Sequence, residues 1–151
     1  MPTVASEAIV QATPQRTWTY LTRFADMPRW FFGVRHVTVS ADTPCVGTER
    51  TVSLWCGLSY RERITRWEPE KHFTILVIEP TLLLHSPAVL VQMSPVADWV
   101  RVRWTVSYSV GFGWLGEVFE RVVVRPALRF ALRVSLRRLC SCVSSQEQKL
   151  T

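Results

Sequence analysis

One stretch of the sequence alternates so strictly between apolar and polar residues that it has to form a half-buried strand. This stretch is Trp99–Tyr108. Its apolar positions are Val100, Val102, Trp104, Val106 and Tyr108, and its polar positions are Arg101, Arg103, Thr105 and Ser107. Side chains two residues apart lie on the same face of a strand, so one face is predicted to be buried and the other to face water. The buried face needs a second layer of structure to cover it.

A long helical pattern follows this strand and predicts the covering layer. It begins after Gly111-Phe112-Gly113 and lasts to about Gln146, and Pro126 is expected to kink it. An apolar ridge runs along one side through Leu128, Leu132, Leu136, Leu139 and Val143, whereas Phe130, Ala131 and Val134 lie toward the opposite side. We expect a helix wrapped by a sheet.

Shorter strand patterns precede the alternating stretch. We predict strands at Val4–Ala12, Val34–Ser40, Glu49–Cys56, Leu58–Trp67, Phe73–Glu79 and Ala88–Met93. Thr13-Pro14 starts a short helix through Leu21, and Gly57 marks a hairpin turn. Polar residues and prolines interrupt the most apolar stretch, 73–93, so it predicts two buried strands and not a membrane span. The fold class is α+β: a curved antiparallel sheet around a long C-terminal helix, with two short helices after the first strand.

Length and composition favour one domain spanning residues 1–151. The chain has 151 residues, 48% of them hydrophobic, which is enough for a single packed core. Its first residues lack a basic region followed by an apolar run, so we expect a cytoplasmic protein. Cys45, Cys56, Cys140 and Cys142 have no C-x-x-C spacing, and we expect reduced thiols, no metal site and no cofactor.

Two patterns suggest a binding function, and for both of them we prefer an interpretation without one. Residues 111–116 fit G-x-G-x-x-G, but no parallel strand follows and no acidic residue lies about twenty residues further on, which argues against a nucleotide site. The chain has a net charge of +6, and many of its arginines lie on the predicted C-terminal helix: Arg121, Arg125, Arg129, Arg133 and Arg137. We interpret them as a solvated flank. The alternative is a weak anionic partner, such as RNA, the ribosome or acidic lipid, and no DNA partner is expected.

Glu62 shares the inward parity of Tyr60 and Ile64, which is unusual for a carboxylate. It is either a ligand anchor or general acid/base, or the structural partner of an arginine such as Arg103 or Arg66. We prefer the structural interpretation.

Aromatic side chains on the inward faces are the main candidates for a binding site. They could form a plain core, but one helix cannot fill the whole concave side of a curved sheet. Either bulky residues or a ligand must fill the remaining space. The predicted ligand-binding residues are Trp30, Phe32, Leu54, Tyr60, Glu62, Trp104, Tyr108, Phe119 and Phe130.

Several local motifs follow one another along the chain in a characteristic order. They are T-P-Q-R-T-W at residues 13–18, Asp26–Trp30, Val46-Gly47-Thr48, E-R-I-T-R-W-E-P at residues 62–69, and Leu115–Leu139 with Arg125-Pro126. In this order they resemble the motifs of the START-like (SRPBCC), helix-grip superfamily, which includes polyketide cyclase/dehydrases, lipid-transfer proteins and quinone-binding proteins. The corresponding superfamily features are an A-P-x-x-V-W entry to the first helix, a D-x-x-x-W region, the next hairpin, an E-x-I-T-x-x-E-P motif and the closing helix.

The resemblance implies a cavity for a hydrophobic small molecule between sheet and helix, and a binding or carrier protein is our first hypothesis. The first alternative is an aromatase/cyclase-type enzyme, with Glu62 and Tyr108 as candidate proton-transfer groups. The second alternative is a ribosome- or RNA-associated basic module. A monomer or a homodimer is compatible with each hypothesis.

Overall fold

The computed structural model describes residues 3–41, 43–78, 85–110 and 113–150. Its main feature is one seven-stranded sheet in which every pair of neighbours is antiparallel, in the order β1-β7-β6-β5-β4-β3-β2. The strands are β1 (Thr3–Val10), β2 (Val34–Val39), β3 (Glu49–Leu54), β4 (Ser59–Glu68), β5 (His72–Val77), β6 (His85–Val96) and β7 (Trp99–Ser109).

The predicted strands are confirmed, with differences at their ends. β1 stops at Val10, because its pairing with β7 ends where Val10 faces Val100. β6 starts earlier than predicted, at His85, and an irregular pairing between His85 and Ala88 accommodates Pro87, which has no N–H to donate. The predicted end of β5, Glu79, lies outside the described residues, as do Gly111 and Phe112.

Two short helical segments follow β1, as predicted. The helix α1 (Pro14–Thr22) has Pro14 in its first turn, and the Thr13 hydroxyl caps it by accepting the Arg16 N–H at 3.3 Å. The second segment, Phe24–Arg29, is a 3₁₀-helix.

The long C-terminal helix is divided into three parts. These are α2 (Gly113–Phe119), a π-helical segment (Glu120–Val124) and α3 (Arg125–Leu150). The Arg125 N–H donates to the Glu120 carbonyl five residues back, and Pro126 follows at once. The predicted disturbance at Pro126 is therefore a π-helical segment just before it, a known way for a helix to absorb a missing hydrogen bond.

The hydrophobic core lies between the sheet and α3. The alternating face of β7 is buried as predicted, and so is the α3 ridge from Leu132 to Val143. The α3 backbone packs most closely along β1, where the Cys140 thiol lies 3.5 Å from the Ile9 carbonyl oxygen.

The cysteines are all unpaired. No helix in the described ranges is long and apolar enough to cross a membrane.

One end of the sheet is defined by the start of the C-terminal helix, and we call it the entry end. At this end of the sheet, strands β3, β5 and β7 finish, and strands β2, β4 and β6 start. The hairpin between β3 and β4, residues 55–58, therefore lies at the same end of the molecule as α2.

Candidate functional site

The buried carboxylate of Glu62 is held by an arginine. Arg50 and Glu62 face each other across β3 and β4, and the Arg50 Nε donates to Glu62 Oε2. Both side chains are almost completely buried. The expected partners, Arg103 and Arg66, are wrong, because both are exposed on the outer face of the sheet. The preferred structural interpretation of Glu62 is consistent with this ion pair.

Arg50 also connects the sheet to the 3₁₀-helix. Its guanidinium lies 4.5 Å from the centre of the Phe24 ring, and its Nη1 donates to the Met27 sulfur at 3.6 Å. The sequence held a signal for this residue, because Arg50 has the same strand parity as Leu54, which is one of the predicted ligand-binding residues on the inward faces. A buried pair of this kind fixes geometry and leaves Glu62 without the freedom of an acid/base group.

An aromatic layer lies between β7 and α3. The Trp30 ring centre is 5.8 Å from that of Trp104 and 5.6 Å from that of Phe31, and the rings meet edge to face. The neighbouring Phe32 N–H donates to the Ser135 hydroxyl of α3 at 2.9 Å. These contacts place Trp30 against β7, in a segment that the bond from Phe32 connects to α3.

Trp30 has a property that the sequence did not indicate. Its side chain is 1% exposed, and its indole N–H has no hydrogen-bond acceptor among the described residues. Most buried polar groups in proteins have a partner, so an unpaired donor needs an explanation. A bound molecule with an acceptor oxygen would provide one.

Tyr108 takes part in a second polar cluster, at the entry end. Its hydroxyl donates to Glu120 Oε1 at 2.6 Å, and Arg125 donates to both oxygens of the same carboxylate, at 2.9 and 3.0 Å. Arg125, one of the arginines in the alternative anionic-partner surface, is thus paired with a carboxylate of its own chain. Sequence reasoning missed Glu120, because nothing in the local pattern distinguishes it from a surface glutamate.

Burial and these hydrogen bonds shift the pKa values of the cluster. Burial, followed by the bond to Glu120, raises the pKa of Tyr108 to about 12. Burial also acts against ionisation of Glu120, but the bonds from Tyr108 and Arg125 outweigh it and lower the pKa of that carboxyl. The cluster is thus a carboxylate held ionised by a phenol and a guanidinium.

The other predicted binding residues are less buried. Leu54 and Tyr60 are half-buried on the inner face of β3 and β4. Phe32 and Phe130 contact each other, with ring centres 5.6 Å apart, but both are exposed, and Phe119 is also exposed. The structure therefore brings Trp30 and Trp104 together in the core and Phe32 and Phe130 together at the surface.

The structure also has a surface pocket of about 540 Å³ at the β2 edge of the sheet. It lies between the 3₁₀-helix and β2, and its walls include Phe24, Asp26, His36 and Val39. None of the predicted binding residues lines it.

A curved antiparallel sheet closed by a long C-terminal helix, with an aromatic layer between them, defines the helix-grip class of proteins. Within this class, the family model described as "Polyketide cyclase / dehydrase and lipid transport" matches residues 1–141. The chain belongs to this family, and the START-like (SRPBCC) resemblance of its motifs is confirmed.

Solved structures with the same fold are distant in sequence. TTHA0849 from Thermus thermophilus is 17% identical, with a TM-score of 0.80, covering 96% of this chain and 99% of that one. The di-domain ARO/CYC protein StfQ from the steffimycin biosynthetic pathway is 14% identical, with a TM-score of 0.80. The match covers 97% of this chain and 51% of StfQ, so this chain spans about half of its length.

A third similar structure is a point mutant of Thalictrum flavum norcoclaurine synthase in complex with a transition-state analogue. It is 16% identical, with a TM-score of 0.74, and the match covers 97% of this chain and 96% of that one. At these identities the likeness shows the fold. No curated protein sequence matches the chain.

Proposed function

We propose that this protein binds and carries a hydrophobic small molecule, such as a polyketide, a quinone or a lipid, that bears a hydrogen-bond acceptor. The family and the fold support a hydrophobic ligand-binding role. The observation that carries the finer proposal is the buried indole N–H of Trp30, which has no acceptor in the described part of the chain. We assign this donor to a carbonyl or hydroxyl oxygen of the ligand.

The energetics of Trp30 favour this assignment. A buried donor without a partner costs about 1–3 kcal/mol, and an acceptor on a bound molecule would recover that free energy. The Phe31 and Trp104 rings pack against Trp30 and against each other, so the surroundings of this donor are aromatic and apolar, which suits a polycyclic or unsaturated ligand. Such a site combines a large apolar wall with a single polar contact that orients the ligand.

The position of the C-terminal helix supports a ligand between it and the sheet. The α3 backbone approaches β1 closely, and at the entry end the side-chain bond between Tyr108 and Glu120 connects β7 to the π-helical segment. On β3 and β4, away from β1, the inward-facing side chains of Leu54 and Tyr60 are only half-buried. The ligand is therefore proposed to lie against these residues and beneath the first turns of the helix.

Binding is favoured over cyclase-type catalysis by the state of Glu62. In the enzyme hypothesis this residue would donate or accept a proton. Its carboxylate is instead engaged by Arg50 in a buried pair, and breaking such a pair would leave an uncompensated charge in the core. A carrier needs no proton transfer, so a structural role is sufficient for this pair.

The proposal is tested with 9-fluorenone and fluorene, which share one ring skeleton and differ in a single carbonyl. Calorimetric titration of the wild-type protein should show tighter binding of fluorenone, by about 5- to 160-fold, which corresponds to recovering the roughly 1–3 kcal/mol cost of the unpaired donor. The Trp30→Phe variant keeps an aromatic ring but loses the N–H. It should bind the two compounds with equal affinity.

Trp104→Phe is the matched control, because it also reduces an indole to a phenyl ring in the same layer. It should keep the preference for fluorenone. Circular dichroism establishes that both variants are folded. A preference that persists in Trp30→Phe, or a folded wild-type protein that binds neither compound, would contradict the proposal.

A further inference from the structure

The outward side of the first helical turns is apolar and exposed. From Gly113 to Val124 the buried residues are Gly116 and Glu120, which face the protein. The exposed apolar residues are Trp114, Leu115, Val118, Phe119, Val122 and Val123. Pairs of residues that recur every four positions form a continuous stripe along a helix, and we call this set the helical stripe.

A second exposed apolar group lies at the same end of the molecule. Trp55 and Leu58 lie in the hairpin between β3 and β4, and the backbone N–H of Trp55 donates to the Gly33 carbonyl at 3.0 Å. That bond places the hairpin tip beside exposed Phe32. Trp55 and Trp114 are each 72% exposed. Exposed apolar surface on this scale usually marks an interaction site.

Basic residues accompany the helical stripe. Residues 113–144 contain six arginines and two glutamates, a net charge of +4 (6 − 2). One of these glutamates, Glu120, is buried and bound to Arg125, so Glu117 is the acidic side chain exposed there. Arg121, Arg129, Arg133 and Arg137 are exposed along the same helix. This combination complements a surface that is negatively charged outside and apolar beneath.

We propose that the entry end docks on the surface of an anionic lipid bilayer. The helical stripe and the tip of the hairpin enter the boundary between head groups and acyl chains, and the arginines contact lipid phosphates. Tryptophan favours this boundary, because its ring is apolar and its N–H is polar. Two separate protruding elements, each with a highly exposed tryptophan, suit a deformable lipid surface.

The test is flotation of the purified protein with phosphatidylcholine vesicles, with or without phosphatidylglycerol. The wild-type protein should float with the anionic vesicles, more weakly as salt rises, and much less with the neutral ones. The double substitution Trp55→Ser and Trp114→Ser should lower the partition coefficient by at least about tenfold, since two large side chains no longer enter the lipid. Replacing Arg129 and Arg133 by Gln should weaken binding to anionic vesicles specifically.

Controls come from the opposite end and the outer face of the sheet. Trp99, which is 46% exposed at the start of β7, is replaced by Ser, and Arg101 and Arg103 are replaced by Gln. Both variants should bind vesicles like the wild-type protein. None of these variants changes Trp30 or Trp104. Membrane docking can therefore fail while ligand binding is supported, and ligand binding can fail while membrane docking is supported.

Two results would overturn the proposal. One is vesicle binding that the double tryptophan variant retains in full. The other is the absence of binding to anionic vesicles. In that case, salt-sensitive RNA binding that depends on Arg129 and Arg133 would assign the arginines to a nucleic acid, and a dimer that the tryptophan substitutions dissociate, seen by light scattering, would assign the apolar residues to a second copy of the chain.

Discussion

Glu62 and Glu49 lie on paired strands, in neighbouring cross-strand pairs that face opposite sides of the sheet. Glu62 faces Arg50 in the core, and Glu49 faces Arg63 at the surface, 2.7 Å from its Nη2. The two pairs have the same chemistry and the same strand geometry. They differ in their access to water, and this allows the effect of burial on an ion pair to be measured within one protein.

We expect Glu62→Gln to lower the free energy of unfolding by about 3–5 kcal/mol, because it leaves the Arg50 charge buried and uncompensated. Glu49→Gln should lower it by less than about 1 kcal/mol, because water screens and replaces the exposed pair. Urea denaturation measures both. Similar losses in the two variants would show that the buried pair is accessible to water.

At this scale the sequence predicted positions better than partners. The two-residue period placed Glu62 inside correctly, because strand parity is a local property. Its partner depends on which residue of β3 faces it, and the register of two strands is set by the hairpin between them. The Trp30 N–H was likewise not predictable, since a missing acceptor is a property of the whole surroundings.

The two sides of α3 differ in what they contribute to stability. Leu136 is 2% exposed within the core ridge, whereas Phe130 is 59% exposed on the other side of the helix. We expect Leu136→Ala to lower the free energy of unfolding by about 2–5 kcal/mol, through lost burial and the cavity that remains. Phe130→Ala should change it by about 0.5 kcal/mol or less. Urea denaturation distinguishes them, and comparable losses would mean that Phe130 is buried in solution.

The helical period of the sequence predicted this ridge, because residues three and four apart share a helix face. The π-helical segment was not predicted beyond a disturbance at Pro126. In a regular α-helix, Glu120 and Arg125 would point about 140° apart. The hydrogen bond from Arg125 to the Glu120 carbonyl brings both side chains to one side, where Tyr108 of β7 meets them. This arrangement depends on tertiary contacts that no local pattern contains.

For the whole molecule, the tyrosines predict how stability responds to alkali. The chain has three, Tyr20, Tyr60 and Tyr108, and burial raises the pKa of each, to about 12 for Tyr108. In the unfolded chain the phenol pKa is about 10. Between these values the unfolded chain binds fewer protons, so the free energy of unfolding falls as pH rises; below about pH 10 the full contribution is present.

We expect the urea midpoint to fall as pH rises above about 10, and Tyr108→Phe to reduce the slope, because it removes one of the three groups. Tyr20 and Tyr60 keep the remainder of the slope. Denaturation at a series of pH values measures both proteins. A slope that the substitution leaves unchanged would contradict the predicted contribution of Tyr108.

The order of elements could be predicted from the sequence, since strand patterns, turns and the closing helix are each recorded locally. The distance between the helix and the sheet could not be predicted, because it depends on rotamers and on the packing of several elements at once. For this reason the family and fold were recognisable from motifs such as residues 62–69, while the shape of the space between sheet and helix was not.

The pairing of β1 with β7 has a consequence for biosynthesis. Val4 lies opposite Val106, and the thiol of Cys140 lies against Ile9, so the first strand is completed only by segments about a hundred or more residues later. Contacts between distant parts of a chain form slowly. During translation β1 must therefore remain without its partners until β7 and α3 have been made, and its apolar side chains stay uncovered until then.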